Sequence, residues 1–483
     1  MVLASAWMAI AFAPWVHAQE KADKPILALV EASPENEPRR TPTTRDAMKQ
    51  YLEDLKDRKP RIPLPELTEE QRKAELENPR ASGYESRLRS NYLENAPNAY
   101  LTFGGSPAGG YPNAPANNRT PPDPIMSLDY AFKVRMFWIA ARANNCQYCL
   151  GHQESKLLAA GMTEDQIAAL DSAWELFPEN EQVAFALAKR LTLEPHRLTE
   201  DDIAACKAFY ADLQILEMLG SIAGNNAINR WKEGAGVPQS RDGGNFGRGA
   251  TASHESYLTK TSDAFATKRS KIVNFDPGSV SLNGNAMTVC NRPPLLQGAD
   301  LENKLRQART RSRRLPIADE ATSREVLGDL ASESEIPEWK RLLAQFPIAG
   351  KRLVAGIVQS KQSDSIDAAL QAKLDWLLAR QDHAWYLTAL AEKDLHTAGV
   401  TADQRAALDG ELNAPSETLS DRDRSLLLLA RNLAASPIVL TDAQVAKAIE
   451  LAGPRAVTQV INYTCYRAAL NRITEGAGLN AGQ

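Results

Sequence analysis

Cys146, Cys149 and His152 form the one place in this chain where reactive side chains crowd together, within Asn144-Asn145-Cys146-Gln147-Tyr148-Cys149-Leu150-Gly151-His152-Gln153-Glu154. Two cysteines three residues apart on a helix can pass between dithiol and disulfide with modest strain. A helix beginning near Asn145 puts His152 about 60° from Cys149, on a shared face, and about 240° from Cys146. The thiolate is the nucleophile, and a helix N-terminus and an adjacent imidazole both favour it, which makes Cys149 the candidate for attack. Cys146 would then resolve the intermediate. Zinc held by Cys146, Cys149 and His152 is the competing chemistry, in a non-catalytic or redox-sensing helical scaffold. A closed zinc site needs a fourth protein ligand, and three side chains on adjacent turns converge poorly on a tetrahedral centre. A c-type haem would need the histidine directly after Cys149, where Leu150 stands. No cofactor is expected.

Cys-Gln-Tyr-Cys-Leu-Gly-His, followed by Lys-Leu-Leu-Ala-Ala-Gly-Met-Thr, resembles the alkylhydroperoxidase D-like branch of the carboxymuconolactone decarboxylase superfamily. The resemblance implies an all-helical fold and a Cys-x-x-Cys pair that reduces hydroperoxides or exchanges disulfides. Cys149 would be peroxidatic, Cys146 resolving and donor-facing, and His152 the base. A hydroperoxide would be the substrate, a thioredoxin-like or other dithiol protein the donor, and the chain a homo-oligomer. Two features depart from the pattern. Many members place the histidine four residues after the second cysteine rather than three. The family relay often draws a glutamate from the preceding helix, but Lys133-Val134-Arg135-Met136 holds no acid, and Glu154 is the candidate substitute. Lactone decarboxylases of the superfamily generally lack the paired cysteines, which argues against that activity.

With 483 residues, 43% of them hydrophobic, the chain is long enough for two or three domains with ordinary cores. Lys+Arg 56 against Asp+Glu 60 leaves no overall basic character, and nucleic acid is not an expected partner. Residues 1–18 are almost entirely apolar and end in Val16-His17-Ala18, which reads as a secretory signal, with an uncleaved anchor as the alternative. A secreted or periplasmic location follows. No later stretch has the roughly 18 consecutive apolar residues of a membrane span. In an oxidising compartment Cys146 and Cys149 would rest as a disulfide unless a dedicated thiol partner reduced them. Five cysteines are too few for a disulfide scaffold. Cys206 and Cys465 read as small core residues on apolar helix faces, and Cys290 lies in a loop-like segment with no assigned role.

Residues 19–124 form a polar, Pro/Gly-rich arm with short helical candidates near 43–56 and 68–76. From Ile125 apolar positions recur every three or four residues, as in buried helices. Residues 125–236 are read as the active module, 237–314 as a linker or lid, and 315–479 as a second module. An internal repeat dictates that organisation. Trp138-Ile139-Ala140-Ala141-Arg142 matches Trp376-Leu377-Leu378-Ala379-Arg380, and Gly161-Met162-Thr163 matches Gly399-Val400-Thr401, both 238 positions later (376 less 138, 399 less 161). Asn229-Arg230 with Glu233-Gly234-Ala235-Gly236 recurs at Asn471-Arg472 with Glu475-Gly476-Ala477-Gly478, now 242 positions on (471 less 229), an insertion near Asn413-Ala414-Pro415 taking up the difference. Ordered blocks of this kind mark a duplication. Ala384, Leu387 and Leu390 stand opposite Cys146, Cys149 and His152, so the second copy lacks the chemistry. His383 and His396 remain there as hydrogen-bonded structural residues. The expectation is an all-α protein whose segments 125–236 and 363–479 superpose and pack together.

Overall fold

The computed structural model describes residues 45–77, 83–93, 99–104, 123–171, 173–238, 295–410, 412 and 415–482. The expected signal at 1–18, Cys290, most of the expected linker (239–294), and Asn413 and Ala414 lie outside them. The described residues are helical, without a strand, and no helix among them is long and apolar enough to cross a membrane.

Among the described residues nine α-helices precede position 239: α1 (Arg45–Asp54), α2 (Glu69–Glu77), α3 (Tyr84–Tyr92), α4 (Tyr130–Ala143), α5 (Gln147–Ala159), α6 (Glu164–Ala169), α7 (Glu179–Leu193), α8 (Glu200–Lys207) and α9 (Asp212–Ala235). Nine more follow: α10 (Gly298–Thr310), α11 (Glu320–Leu327), α12 (Glu338–Leu343), α13 (Ala349–Ser360), α14 (Ala368–Gln381), α15 (Trp385–Thr397), α16 (Ala402–Asp409), α17 (Asp421–Ala434) and α18 (Asp442–Ala477), the last kinked at Gly453-Pro454.

Local signals recur between the two runs. Asp129 and Asp367 cap α4 and α14 by accepting from Phe132 N and Leu370 N, each at 2.8 Å. Gly161 and Gly399 take positive φ after α5 and α15, and capping boxes at Thr163 and Thr401 open α6 and α16. Buried ion pairs join Arg142 to Asp171 and Arg380 to Asp409, both at 3.1 Å.

Helices α9 and α18 lie in the centre and make the most extensive contact between described helices. Their approach is reciprocal. A Cβ at Gly234 would come within 2.8 Å of Ile461, and one at Gly476 within 2.7 Å of Leu219. Arg230 donates to Ala434 O (2.7 Å), while Arg472 donates to Thr192 O (2.9 Å), and both reach Ser436 Oγ.

The stretches expected to be arm and linker contribute to the core where they are described. In α1 Met48 and Leu52 are buried, and Leu55 continues the stripe; in α10 Leu301, Leu305 and Ala308 do the same. Both helices lead into similar straps, Arg58-Lys59-Pro60-Arg61-Ile62-Pro63 and Arg311-Ser312-Arg313-Arg314-Leu315-Pro316. Arg61 N bonds Ala235 O (3.2 Å) at the end of α9, and Arg314 N bonds Ala477 O (2.9 Å) at the end of α18. Gly236 and Gly478 follow in the left-handed region, φ 64° and 63°, where a Cβ would crowd the strap backbone.

Candidate functional site

The motif is positioned by the turn between α4 and α5. Asn144 ends α4 and is held from several sides: its Nδ2 donates to Asn226 (2.8 Å) and Asn229 (2.9 Å) of α9, its Oδ1 accepts from Ser436 Oγ (3.0 Å), and its carbonyl from Ile438 N (3.1 Å). Asn145 then adopts a left-handed φ of 61° and reverses the chain. The turn is thus fixed jointly by α9 and by residues of the second helical run.

Helix α5 starts at Gln147, later than the sequence reading placed it, and Cys146 is its N-cap in extended conformation. The Cys146 sulfur accepts from Cys149 N at 3.4 Å. The open N–H groups of the helix therefore face Cys146 rather than Cys149. Both thiols are free and buried, 0% and 1% exposed. Burial, more than the Cys149 sulfur or Glu233, pushes the Cys146 pKa well above the ordinary thiol value. Cys206 and Cys465 are also wholly buried, and burial raises each to about 12, in keeping with core positions.

His152 is half-buried. Its Nε2 shares a hydrogen bond with Tyr148 Oη at 3.2 Å, the imidazole tautomer deciding which atom donates, and the ring centroids lie 4.4 Å apart with the planes tilted by 33°. Lys232 of α9 sits over that phenol, 4.3 Å from the ring centroid, and pairs with Glu85 of α3, which also accepts from Trp231 Nε1 (2.7 Å). Burial raises the Tyr148 pKa, and Lys232 offsets part of that. Arg58 of the first strap and Glu233 of α9, joined at 3.0 Å, interact electrostatically with Cys146.

Glu154, the candidate relay substitute, is buried and engaged by Trp138 Nε1 (2.8 Å) and Lys49 Nζ (3.4 Å), Lys49 also pairing with Glu164. Its counterpart Glu392 persists in the second run without thiols, so a carboxylate at this position does not depend on them. On α4, Lys133 pairs with Glu217 and Arg135 with Glu181. Among the described residues no group of three or more His, Cys, Asp or Glu side chains is placed to hold a metal ion.

Arg58, Glu85 and Lys232 were not singled out from the sequence, and Glu233 was singled out only as part of the repeat. The signal that could have found two of them is the paired straps, Arg-x-x-Arg-Ile/Leu-Pro, together with the Glu that opens both Glu-Gly-Ala-Gly blocks. Neither a model of a protein family nor a curated protein matches the chain.

Proposed function

We propose that this protein is a thiol-dependent peroxidase or disulfide oxidoreductase of the alkylhydroperoxidase D-like type, duplicated, with its second module kept as a scaffold. The observation that carries the reading is Cys146 and Cys149 in contact at the N-terminal turn of α5, with the Tyr148–His152 pair in the next turn. In this reading Cys149 attacks the hydroperoxide, breaking its O–O bond to leave a sulfenic acid and an alcohol. Cys146 closes the disulfide with loss of water, and an external dithiol, thioredoxin-like in kind, restores both thiols. His152, steered by Tyr148, serves proton transfer beside Cys149. The reciprocal contacts of Arg230 with Ala434 and Arg472 with Thr192 support the duplication, since they are what a two-fold pairing of like modules gives within one chain. Association of whole chains and a secreted or periplasmic site of action complete the proposal.

The test is hydroperoxide consumption with a dithiol donor. Cys149→Ser should abolish it, and Cys206→Ser should leave it largely intact. Equal loss in both variants, or none in the first, would sink the assignment.

A further inference from the structure

Arg58 and Glu233 are an incomplete ion pair. Their single close contact is Nη2 to Oε2 at 3.0 Å, with both side chains more than nine-tenths buried. Among the described residues, Arg58 Nε and Nη1 and Glu233 Oε1 have no hydrogen-bond partner. Buried polar atoms are rarely left so, because each forfeits its hydration without return.

The corresponding pair in the second run is saturated. Arg311 donates to both Glu475 oxygens (2.8 and 3.1 Å) and through Nε to Leu479 O (2.7 Å), and Glu475 Oε1 also accepts from Tyr386 N (3.3 Å). Anchoring a strap therefore accounts for the second pair fully and for the first only in part. What distinguishes the first is the thiol: Cys146 occupies the position of Ala384, which caps the helix whose Tyr386 N–H the counterpart Glu475 binds, and the Arg58–Glu233 pair interacts electrostatically with it.

We propose that Glu233 accepts the Cys146 proton when that thiol closes the disulfide, while Arg58 holds the single negative charge as it passes from carboxylate to sulfur. The inference rests on the peroxidase reading above. The proton moves from Cys146 Sγ to Glu233 Oε1, and the resulting thiolate attacks the sulfenic sulfur of Cys149. The S–S bond forms, the S–O bond breaks, and the departing hydroxide takes the proton from Glu233 to leave as water. The thiolate supplies the electron pair that reduces the sulfenic sulfur, so no further oxidant or reductant is needed. Throughout the transfer the guanidinium faces one negative charge, and no uncompensated ion is created in the interior. Without such an acceptor the buried thiol would have to ionise against its own desolvation.

Full-length reduced protein is mixed with one equivalent of hydrogen peroxide. Sulfenic acid at Cys149 is trapped with dimedone, and disulfide closure is followed by non-reducing mass mapping. Glu233→Gln should form the sulfenic acid normally and close the disulfide about 100-fold more slowly, the low end for a lost proton acceptor. Closure in that variant should also rise about tenfold per pH unit, as solvent hydroxide takes over the proton. Glu233→Asp, which keeps the carboxylate, should recover much of the rate. Glu475→Gln, which removes the saturated counterpart, should close at the unaltered rate. Normal closure in Glu233→Gln would overturn the role, and so would equal slowing by Glu475→Gln, which would mark strap anchoring as the cause. Absence of both sulfenic acid and disulfide in the unaltered protein would instead overturn the peroxidase reading, and the proton role with it.

Discussion

The N-terminal turns of α5 and α15 are built alike and finished differently. At α5 the cap is Cys146, whose sulfur takes the Cys149 N–H, and the nearby carboxylate of Glu233 keeps one oxygen without a partner among the described residues. At α15 the cap is Ala384, with no side-chain bond to the helix, and Glu475 Oε1 instead accepts from Tyr386 N. Two helices, a reversing residue at left-handed φ, a strap and an Arg–Glu pair are common to both. One turn spends its polar groups on its own backbone. The other leaves Arg58 Nε, Arg58 Nη1 and Glu233 Oε1 without a hydrogen-bond partner among the described residues. A scaffold of this kind can keep or lose chemistry through a few side chains without changing its helices.

The comparison breaks most visibly at the contact between the two runs. Arg472 is wholly buried against Asp382 at 3.1 Å, whereas Arg230, equally buried, meets neutral acceptors in Asn226, Ala434 and Ser436. Arg472→Ala should therefore cost about 3–5 kcal/mol, because it takes the guanidinium from a buried carboxylate that keeps the Asn471 amide bond. Arg230→Ala should cost about 1–3 kcal/mol, because the acceptors it leaves at Asn226, Ala434 and Ser436 are neutral. Urea unfolding measures both, and a larger loss in Arg230→Ala would show that the two arginines are not used as described.

A smaller effect is expected at Cys465, whose counterpart in α9 is Ala223. Burial lifts the Cys465 pKa from 9.0 to about 12. The folded thiol thus keeps its proton where the unfolded one loses it. That contribution is complete below pH 9 and declines as pH rises toward the folded value, by about 1.4 kcal/mol per pH unit. Cys465→Ala should cost about 1 kcal/mol at pH 7.5 through lost packing. At pH 10.5 the variant should be the more stable by about 1 kcal/mol, since it is spared about 2 kcal/mol of alkaline loss. Parallel urea midpoints at the two pH values decide it; an unchanged gap would mean the thiol reaches solvent.

The helical class was legible because periodicity and caps are local: Asp129, Thr163, Thr401 and the glycines after α5, α9, α15 and α18 each announce an element boundary from its own neighbours. The cysteines were legible by type and spacing. Arg58 was not, because its neighbourhood reads as a Pro-rich surface segment, and its approach to Glu233 depends on how a strap lies across the end of a distant helix. The start of α5 was placed too early for a related reason. A shift in the helix start from near Asn145 to Gln147 moves the free N–H groups from one sulfur to the other, and boundaries are the least legible part of a pattern. Glu154 looked available from its position in the sequence, but Lys49 and Trp138 claim it from two other helices.

The finest expected difference concerns the reversing residues, Asn145 at φ 61° and His383 at φ 50°. Left-handed backbone costs a residue with a Cβ about 1–2 kcal/mol, and asparagine recovers part of that through its short polar side chain. Glycine carries no such penalty but gives up the buried bond from Gln147 Nε2 to Asn145 Oδ1 (3.3 Å), so Asn145→Gly should lose about 1 kcal/mol and Asn145→Ala about 2 kcal/mol. At His383 the same pair of substitutions should again separate Gly from Ala, and both should again fall below the unaltered protein. The ring of His383 lies 4.6 Å from that of His196 and 5.3 Å from that of Trp385, and glycine discards both contacts. Denaturant midpoints at unchanged slope would read these differences. If Gly and Ala were indistinguishable at either position, the reversing turn would not be left-handed in solution, and the likeness of the two helix starts would fail at its first residue.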